Sequence, residues 1–126
     1  MASRNLCDTV PQLEVAFLAS KKEWDTLHPE GPEPIVICTY RSNEEQEALY
    51  NQGRKWPGKK VTNAKPGQSK HNQLPSHAID IAFVRAGKTD YREILFEEFA
   101  ILMKKYSVNW GGDFKGKFKD KPHFEI

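Results

Sequence analysis

Two histidines and an aspartate carry the chemistry that this sequence offers. His71 stands in Ser69-Lys70-His71 behind a Gly/Pro-rich stretch, Asp80 interrupts an otherwise apolar run, and His123 lies in Asp120-Lys121-Pro122-His123-Phe124-Glu125. Two imidazoles and a carboxylate, with a fourth position open to water, are the donor set of a hydrolytic zinc ion. Such an ion lowers the pKa of its water and polarises a carbonyl. A carboxylate among Ile79, Ile81 and Phe83 is costly unless something positive meets it. Peptide hydrolysis also needs a group to take the water's proton and return it to the leaving amine. Asp120 can reach such a water without being a ligand, and it can equally be a turn residue ahead of Pro122. Glu125 stands second to Asp120 as base, or supports the His123 ring.

The elements that must position these groups follow from pattern. Thr9-x-x-Gln12 with Pro11 reads as a helix start, followed by a stripe of Leu13, Phe17, Ser20, Trp24 and Leu27 that ends at His28-Pro29. Pro34 to Tyr40 reads as a buried strand. Ser42-x-x-Glu45 is a capping box opening a helix through about Gln52, stopped by Gly53. Residues 54–76 show no periodicity, and a loop of that length in a small domain is commonly functional. His77 to Val84 reads as a strand with Ile79, Ile81 and Phe83 on one face and Ala78, Asp80 and Ala82 on the other. Thr89 or Asp90 is expected to cap a helix to about Tyr106, with Leu95, Phe99, Leu102, Met103 and Tyr106 inward. Trp110-Gly111-Gly112-Asp113 is expected as a turn, and Pro122 to Ile126 as a last strand with His123 and Glu125 on one face. Mixed order without regular βαβ alternation predicts an α+β fold with a small antiparallel sheet flanked by helices.

If the two histidine- and aspartate-bearing strands are neighbours, Asp80 and His123 converge on one side of the sheet and His71 arrives from the loop. Strand parity sends His77 to the opposite face, and His28 closes a helix at the surface. Arg41 follows a buried strand and precedes a capped helix. Its guanidinium can bind a carbonyl or carboxylate oxygen, or pair with a nearby glutamate.

Composition bounds the rest. The 126 residues, 38% hydrophobic and 29% charged, describe one domain spanning 1–126. A net charge of +2 and dispersed basic residues argue against nucleic acid. The Lys115 to Lys121 run reads as a solvated loop. Cys7 and Cys38 show no metal or disulfide spacing, and Cys38 reads as a buried thiol. No signal peptide is visible and no run is long enough to span a membrane. The expectation is a monomer made in the host cytoplasm.

Ser69-x-His71, Ala78-x-Asp80-Ile81, Trp110-Gly111-Gly112-Asp113-Phe114 and Asp120-x-x-His123-Phe124-Glu125 together resemble the VanY-like zinc peptidases, the D-alanyl-D-alanine carboxypeptidase and L-alanyl-D-glutamate endopeptidase group. Tyr40-Arg41-Ser42 to Gln46, Leu49 to Arg54, and Pro57-Gly58 through Ala64 resemble its upstream block. The resemblance implies a hedgehog/DD-peptidase-like fold and one Zn2+ per chain on His71, Asp80 and His123. It implies Asp120 as the catalytic carboxylate, Arg41 steadying the oxyanion, Ser69 contacting substrate, and the bacterial peptidoglycan stem peptide as that substrate. Aspartate at the base position, the small size and the Gly-Arg-x-x-Pro-Gly block are similar to phage endolysins that cleave the L-alanyl-D-glutamate bond and reach the wall after release. The interval between His71 and Asp80 is two residues longer than usual, and a usual glycine is missing. Such an insertion is tolerated where both ends keep their places.

Two alternatives differ from this reading in kind: a zinc carboxypeptidase trimming a terminal D-alanine, and a binding module whose zinc is structural. The second requires a fourth protein ligand in place of water. A slightly basic surface is expected to help the chain find an anionic wall, so wall lysis should fall as ionic strength rises. Turbidity clearance that is indifferent to salt would contradict this.

Overall fold

The computed structural model describes residues 2–116 and 119–126; residues 117 and 118 of the basic run expected as a solvated loop lie outside the described residues. Pro11 opens helix α1 (Pro11–Leu27), where its missing amide costs no hydrogen bond. Thr9 does not cap this helix, because its hydroxyl donates to the Leu6 carbonyl at 2.6 Å in the preceding turn. Leu13, Ala16, Phe17, Ser20 and Trp24 form the buried stripe. Leu27, expected on it, is exposed, and the His28 ring covers Trp24 instead, with centroids 4.1 Å apart.

Among the described residues five strands form one antiparallel sheet: β1 (Glu33–Cys38), β2 (Ala78–Arg85), β3 (Lys88–Asp90), β4 (Asn109–Trp110) and β5 (His123–Glu125). Their order is β1-β2-β5-β4, with β3 pairing β2 beside this path. Helix α2 (Asn43–Asn51) begins with the expected capping box, Ser42 and Glu45 each satisfying the other's backbone amide. Helix α3 (Glu93–Lys104) packs on α1. It starts later than expected. Thr89 and Asp90 belong to a hairpin and pair with Val84 and Phe83, and the Asp90 carboxylate binds Arg92. Tyr106 falls beyond the last turn of α3 and is partly exposed rather than inward.

Ile79, Ile81 and Phe83 are fully buried on the face of β2 turned to the helices. They join Phe17, Trp24, Phe96, Phe99 and Phe124 in one core. Phe99 lies at its centre, with ring centroids 5.8–6.0 Å from those of Trp24, Phe17, Phe124 and Phe83. This aromatic layer holds β2 and β5 flat against α1 and α3, leaving the opposite face of the sheet for polar groups. Among the described residues no helix is long and apolar enough to cross a membrane. Phe99→Ala should cost about 3–5 kcal/mol of stability. Denaturant unfolding checks this, and a loss under about 1 kcal/mol would show that the core does not centre there.

Candidate active site and metal centre

The register of the sheet brings the site together. β2 and β5 pair with Asp80 directly opposite His123, and His123 Nδ1 lies 3.2 Å from Asp80 Oδ1. The other ring nitrogen, Nε2, donates to Glu125 Oε1 at 2.7 Å, so Nδ1 is the nitrogen left facing Asp80. Glu125 in turn forms an ion pair with Lys70, whose Nζ lies 3.1 Å from Glu125 Oε2. A carboxylate behind a ring nitrogen fixes both tautomer and orientation.

His71 arrives from the long loop on a short 3-10 turn, Lys70–Asn72. Ser69 caps that turn, its hydroxyl accepting from the His71 amide at 3.2 Å. Asn72 closes the cap by accepting from the Ser69 amide, and donates to the Arg41 carbonyl at 2.8 Å. The His71 ring is 2% exposed. Its Nδ1 donates to the Thr39 carbonyl at 2.7 Å, which leaves Nε2 as the nitrogen turned toward Asp80. That nitrogen lies 3.2 Å from Asp80 Oδ1 but is not aligned for a hydrogen bond and has no other partner. The segment between His71 and Asp80 is held by Ser76. This fully buried residue sits 2.9 Å from the Thr39 carbonyl and 2.8 Å from that of Ala78, and its backbone bonds to Asp8 and Val10.

Asp120 is placed by the Trp110-Gly111-Gly112 segment, which is the end of β4 followed by a 3-10 turn. A Cβ on Gly111 would overlap the Asp120 carbonyl oxygen, and one on Gly112 would overlap the Trp110 ring. The Gly111 carbonyl accepts from the Asp120 amide at 3.0 Å, and the Trp110 indole donates to the Lys121 carbonyl at 2.7 Å. These contacts aim the Asp120 carboxyl at the site, with Oδ2 4.0 Å from His123 Nδ1.

Arg41 completes the arrangement. Its Nη1 donates to Gln46 Oε1 at 2.9 Å and its Nη2 lies 3.6 Å from Asp80 Oδ2. Gln46 is fully buried and also donates to the Ala64 carbonyl at 2.8 Å, tying the guanidinium to the loop wall. His71, Asp80, His123, Asp120, Arg41 and Ser69 all line one cleft of about 470 Å³. Gln46 and Cys38 are the neighbours that the sequence did not flag. Cys38 Sγ lies 3.7 Å from His71 Nδ1 and 3.6 Å from Arg41 Nη2. The sequence did contain a signal for Gln46, a polar side chain on the inward face of a short capped helix.

The donor types suit a zinc ion, and Asp80 is the residue at which the candidate ligands meet. Bonds of 2.0–2.1 Å at tetrahedral angles put neighbouring ligand atoms about 3.3 Å apart, close to the 3.2 Å between Asp80 Oδ1 and each imidazole nitrogen. Among the described residues the sets whose donors all lie within 4.8 Å of one another are Asp80 with His71 and Cys38, and Asp80 with His123 and Asp120, so the two imidazoles meet at Asp80 but fall in different sets. The unpartnered His71 Nε2 is the strongest sign that something positive belongs at the centre. Charge tells the same story. Burial opposes a charged Asp80, but the two imidazoles overcome it and hold its carboxyl well below the usual range. Burial likewise opposes protonation of the imidazoles. Asp80 with Cys38 raises His71 to about 10, and Asp80 with Glu125 raises His123 to about 9. Asp120 is raised, first by burial and then by the Asp80 charge, so its carboxylate is a better proton acceptor than a surface one.

A compact α+β fold whose sheet carries a buried His/Asp/His cluster, a poised carboxyl and an open cleft is that of the DD-peptidase class. Residues 62–126 match the family model described as D-alanyl-D-alanine carboxypeptidase, and the chain belongs to that family. It is 36% identical over 111 residues to the peptidoglycan L-alanyl-D-glutamate endopeptidase CwlK of Bacillus subtilis (strain 168), an alignment covering 76% of this chain and 62% of that protein. It is 27% identical over 127 residues to the L-alanyl-D-glutamate peptidase of Listeria phage A118, covering 98% of this chain and 41% of that one. The chain thus spans less than two thirds of either curated relative. Among solved structures, the Serratia marcescens L-Ala D-Glu endopeptidase ChiX superposes with a TM-score of 0.71 at 22% identity, covering 100% of this chain and 88% of that one. The vancomycin-resistance D,D-pentapeptidase VanY, solved with Zn(II), gives 0.61 at 16% identity, covering 93% and 71%.

The charges set a pH signature for metal-free protein. The imidazoles, raised from 6.5 to about 9 and 10, contribute stability that is complete below pH 6.5 and lost as pH rises through 9–10. Asp80, lowered from 3.8, contributes stability that is present above pH 3.8 and lost on acidification below it. Chelator-treated protein should therefore be most stable between about pH 4 and 6.5. Zinc should abolish the alkaline loss, because it needs the imidazoles deprotonated. A melting temperature of metal-free protein that rises from pH 6.5 to 9 would contradict this assignment.

Proposed function

We propose that this chain is a zinc-dependent peptidoglycan endopeptidase that cleaves the L-alanyl-D-glutamate bond of stem peptides and thereby lyses the bacterial wall. One zinc ion would be held by His71 Nε2, an Asp80 carboxylate oxygen and His123 Nδ1. The single observation that carries this reading is the buried, partnerless His71 Nε2 facing a carboxylate that His123 approaches from the other side. When bound, the ion supplies Lewis acidity toward the scissile carbonyl and an acidified water. Asp120 takes a proton from the attacking water and passes it to the departing amine of D-glutamate, a transfer that its raised basicity favours. Arg41 presents guanidinium hydrogens to the carbonyl oxygen as it gains charge, and its Gln46 tether keeps it from collapsing wholly onto Asp80. Ser69 meets the substrate at the cleft wall while its hydroxyl holds the His71 turn.

The endopeptidase reading is preferred over terminal D-alanine trimming on charge. A carboxypeptidase needs a free cation for the substrate's terminal carboxylate. The described cations lining the cleft are Arg41 and Lys70, and each already faces a carboxylate, Asp80 or Glu125. The names of both curated relatives agree. We read the chain as a single catalytic domain acting as a monomer, since one chain supplies every group of the site, and as made in the cytoplasm and acting on the wall after release.

Asp120→Asn should lower stem-peptide cleavage by about a thousandfold while zinc stays bound at one per chain. His71→Ala should lose both. Mass spectrometry of muropeptides should show release of the stem from its L-alanine; loss of a single terminal alanine would overturn the proposed bond.

A further inference from the structure

Between Glu47 and Asp80 the sequence contains no acidic residue and six basic ones, Arg54, Lys55, Lys59, Lys60, Lys65 and Lys70. Lys70 meets Glu125. Arg54 is folded inward, its Nη1 donating to the Tyr50 and Thr62 carbonyls at 2.5 and 3.1 Å while its guanidinium lies 3.9 Å from the centre of the Tyr50 ring. Lys55, Lys59, Lys60 and Lys65 are exposed, and no carboxylate among the described residues pairs with them. Trp56 stands among them, 53% exposed.

This segment is built rather than loose. Gly53 takes a φ of +80 and lies so close to the Lys60 backbone that a Cβ would meet it at 2.8 Å. The Gly53 amide donates to the Trp56 carbonyl at 2.9 Å, the Trp56 amide to Asn51 at 3.0 Å, and Gln52 Nε2 to the Lys59 carbonyl at 2.9 Å. The turn is thus clamped to the end of α2 with its indole and lysines turned out. Farther along, Val61 to Ala64 form one wall of the catalytic cleft, whereas Trp56, Lys59 and Lys60 do not line it. A held-out indole is apolar area that folding has not used, and flanking cations select an anionic partner.

We propose that the Trp56-Lys59-Lys60 turn is a docking surface for the peptidoglycan strand itself, outside the catalytic cleft. The indole face stacks on a sugar ring, and the lysines meet the free carboxylates of stem peptides beside the one being cut. This rests on the wall-hydrolase reading, and it gives the catalytic domain a hold of its own on the polymer. The preformed turn keeps the ordering cost of binding low.

The test uses the full chain carrying Asp120→Asn, so that walls stay intact, with and without Trp56→Ala or the pair Lys59→Glu and Lys60→Glu. Co-sedimentation is measured on purified walls stripped of phosphodiester polymers. Each change should lower affinity by about tenfold, and binding by the parent should weaken as salt rises. In chains with Asp120 restored, cleavage of a short soluble stem peptide should stay within about twofold of the parent. Undiminished binding of the variants to stripped walls would overturn the proposal. So would parent binding that disappears once phosphodiester polymers are removed, or soluble-peptide cleavage that falls in step with wall binding. If the parent cleaves no stem peptide yet the variants still lose wall binding, the docking surface stands and the assigned reaction falls.

Discussion

A carboxylate set inside a sheet must be met by positive charge, and the rest of this molecule is arranged around that demand. Asp80 lies on the polar face of β2, whose other face is packed into the aromatic core. Its neighbour across the strand is His123, its neighbour from the loop is His71, and Arg41 approaches its outer oxygen. Without a metal, protons on the imidazoles supply the charge. On the proposed reading, a metal takes the place of those protons. The supporting bonds serve this exchange: Thr39 and Glu125 take the outward hydrogens of the two rings, leaving one nitrogen of each turned toward Asp80.

Much of this was legible in the sequence because strand parity is strict. The alternation through Ile79, Asp80 and Ile81, and through His123, Phe124 and Glu125, put the right groups on one face before any coordinates. The Ser42-Glu45 box likewise marked α2, since its reciprocal bonds depend on local spacing alone. The hairpin at β3 was not legible. Its turn places Ala86 at φ 51 and Gly87 at φ 76, and alanine lacks the asparagine or aspartate signal usual there. Thr9 failed as a cap for a comparable reason, its hydroxyl having a nearer acceptor in the turn before it.

Long-range contacts were the other blind spot. The tethering of Arg41 by Gln46, the latching of the loop by Ser76 and the contact of Cys38 with His71 join residues whose proximity only the fold creates. Gly111 and Gly112 were visible as a turn, but their reason is steric: the Asp120 carbonyl and the Trp110 ring occupy the space a side chain would need. The Asp120 carboxyl is therefore placed by backbone packing as much as by its own spacing from His123.

Cys38 makes the central claim sharply testable, because its sulfur stands beside His71 and Asp80 as a rival ligand for the same cation. X-ray absorption spectroscopy of the zinc-loaded protein separates the two. Coordination by His71, Asp80 and His123 predicts only nitrogen and oxygen neighbours at about 2.0–2.2 Å, with two imidazoles. A sulfur neighbour at about 2.3 Å would show that the ion sits on Cys38 and contradict the account.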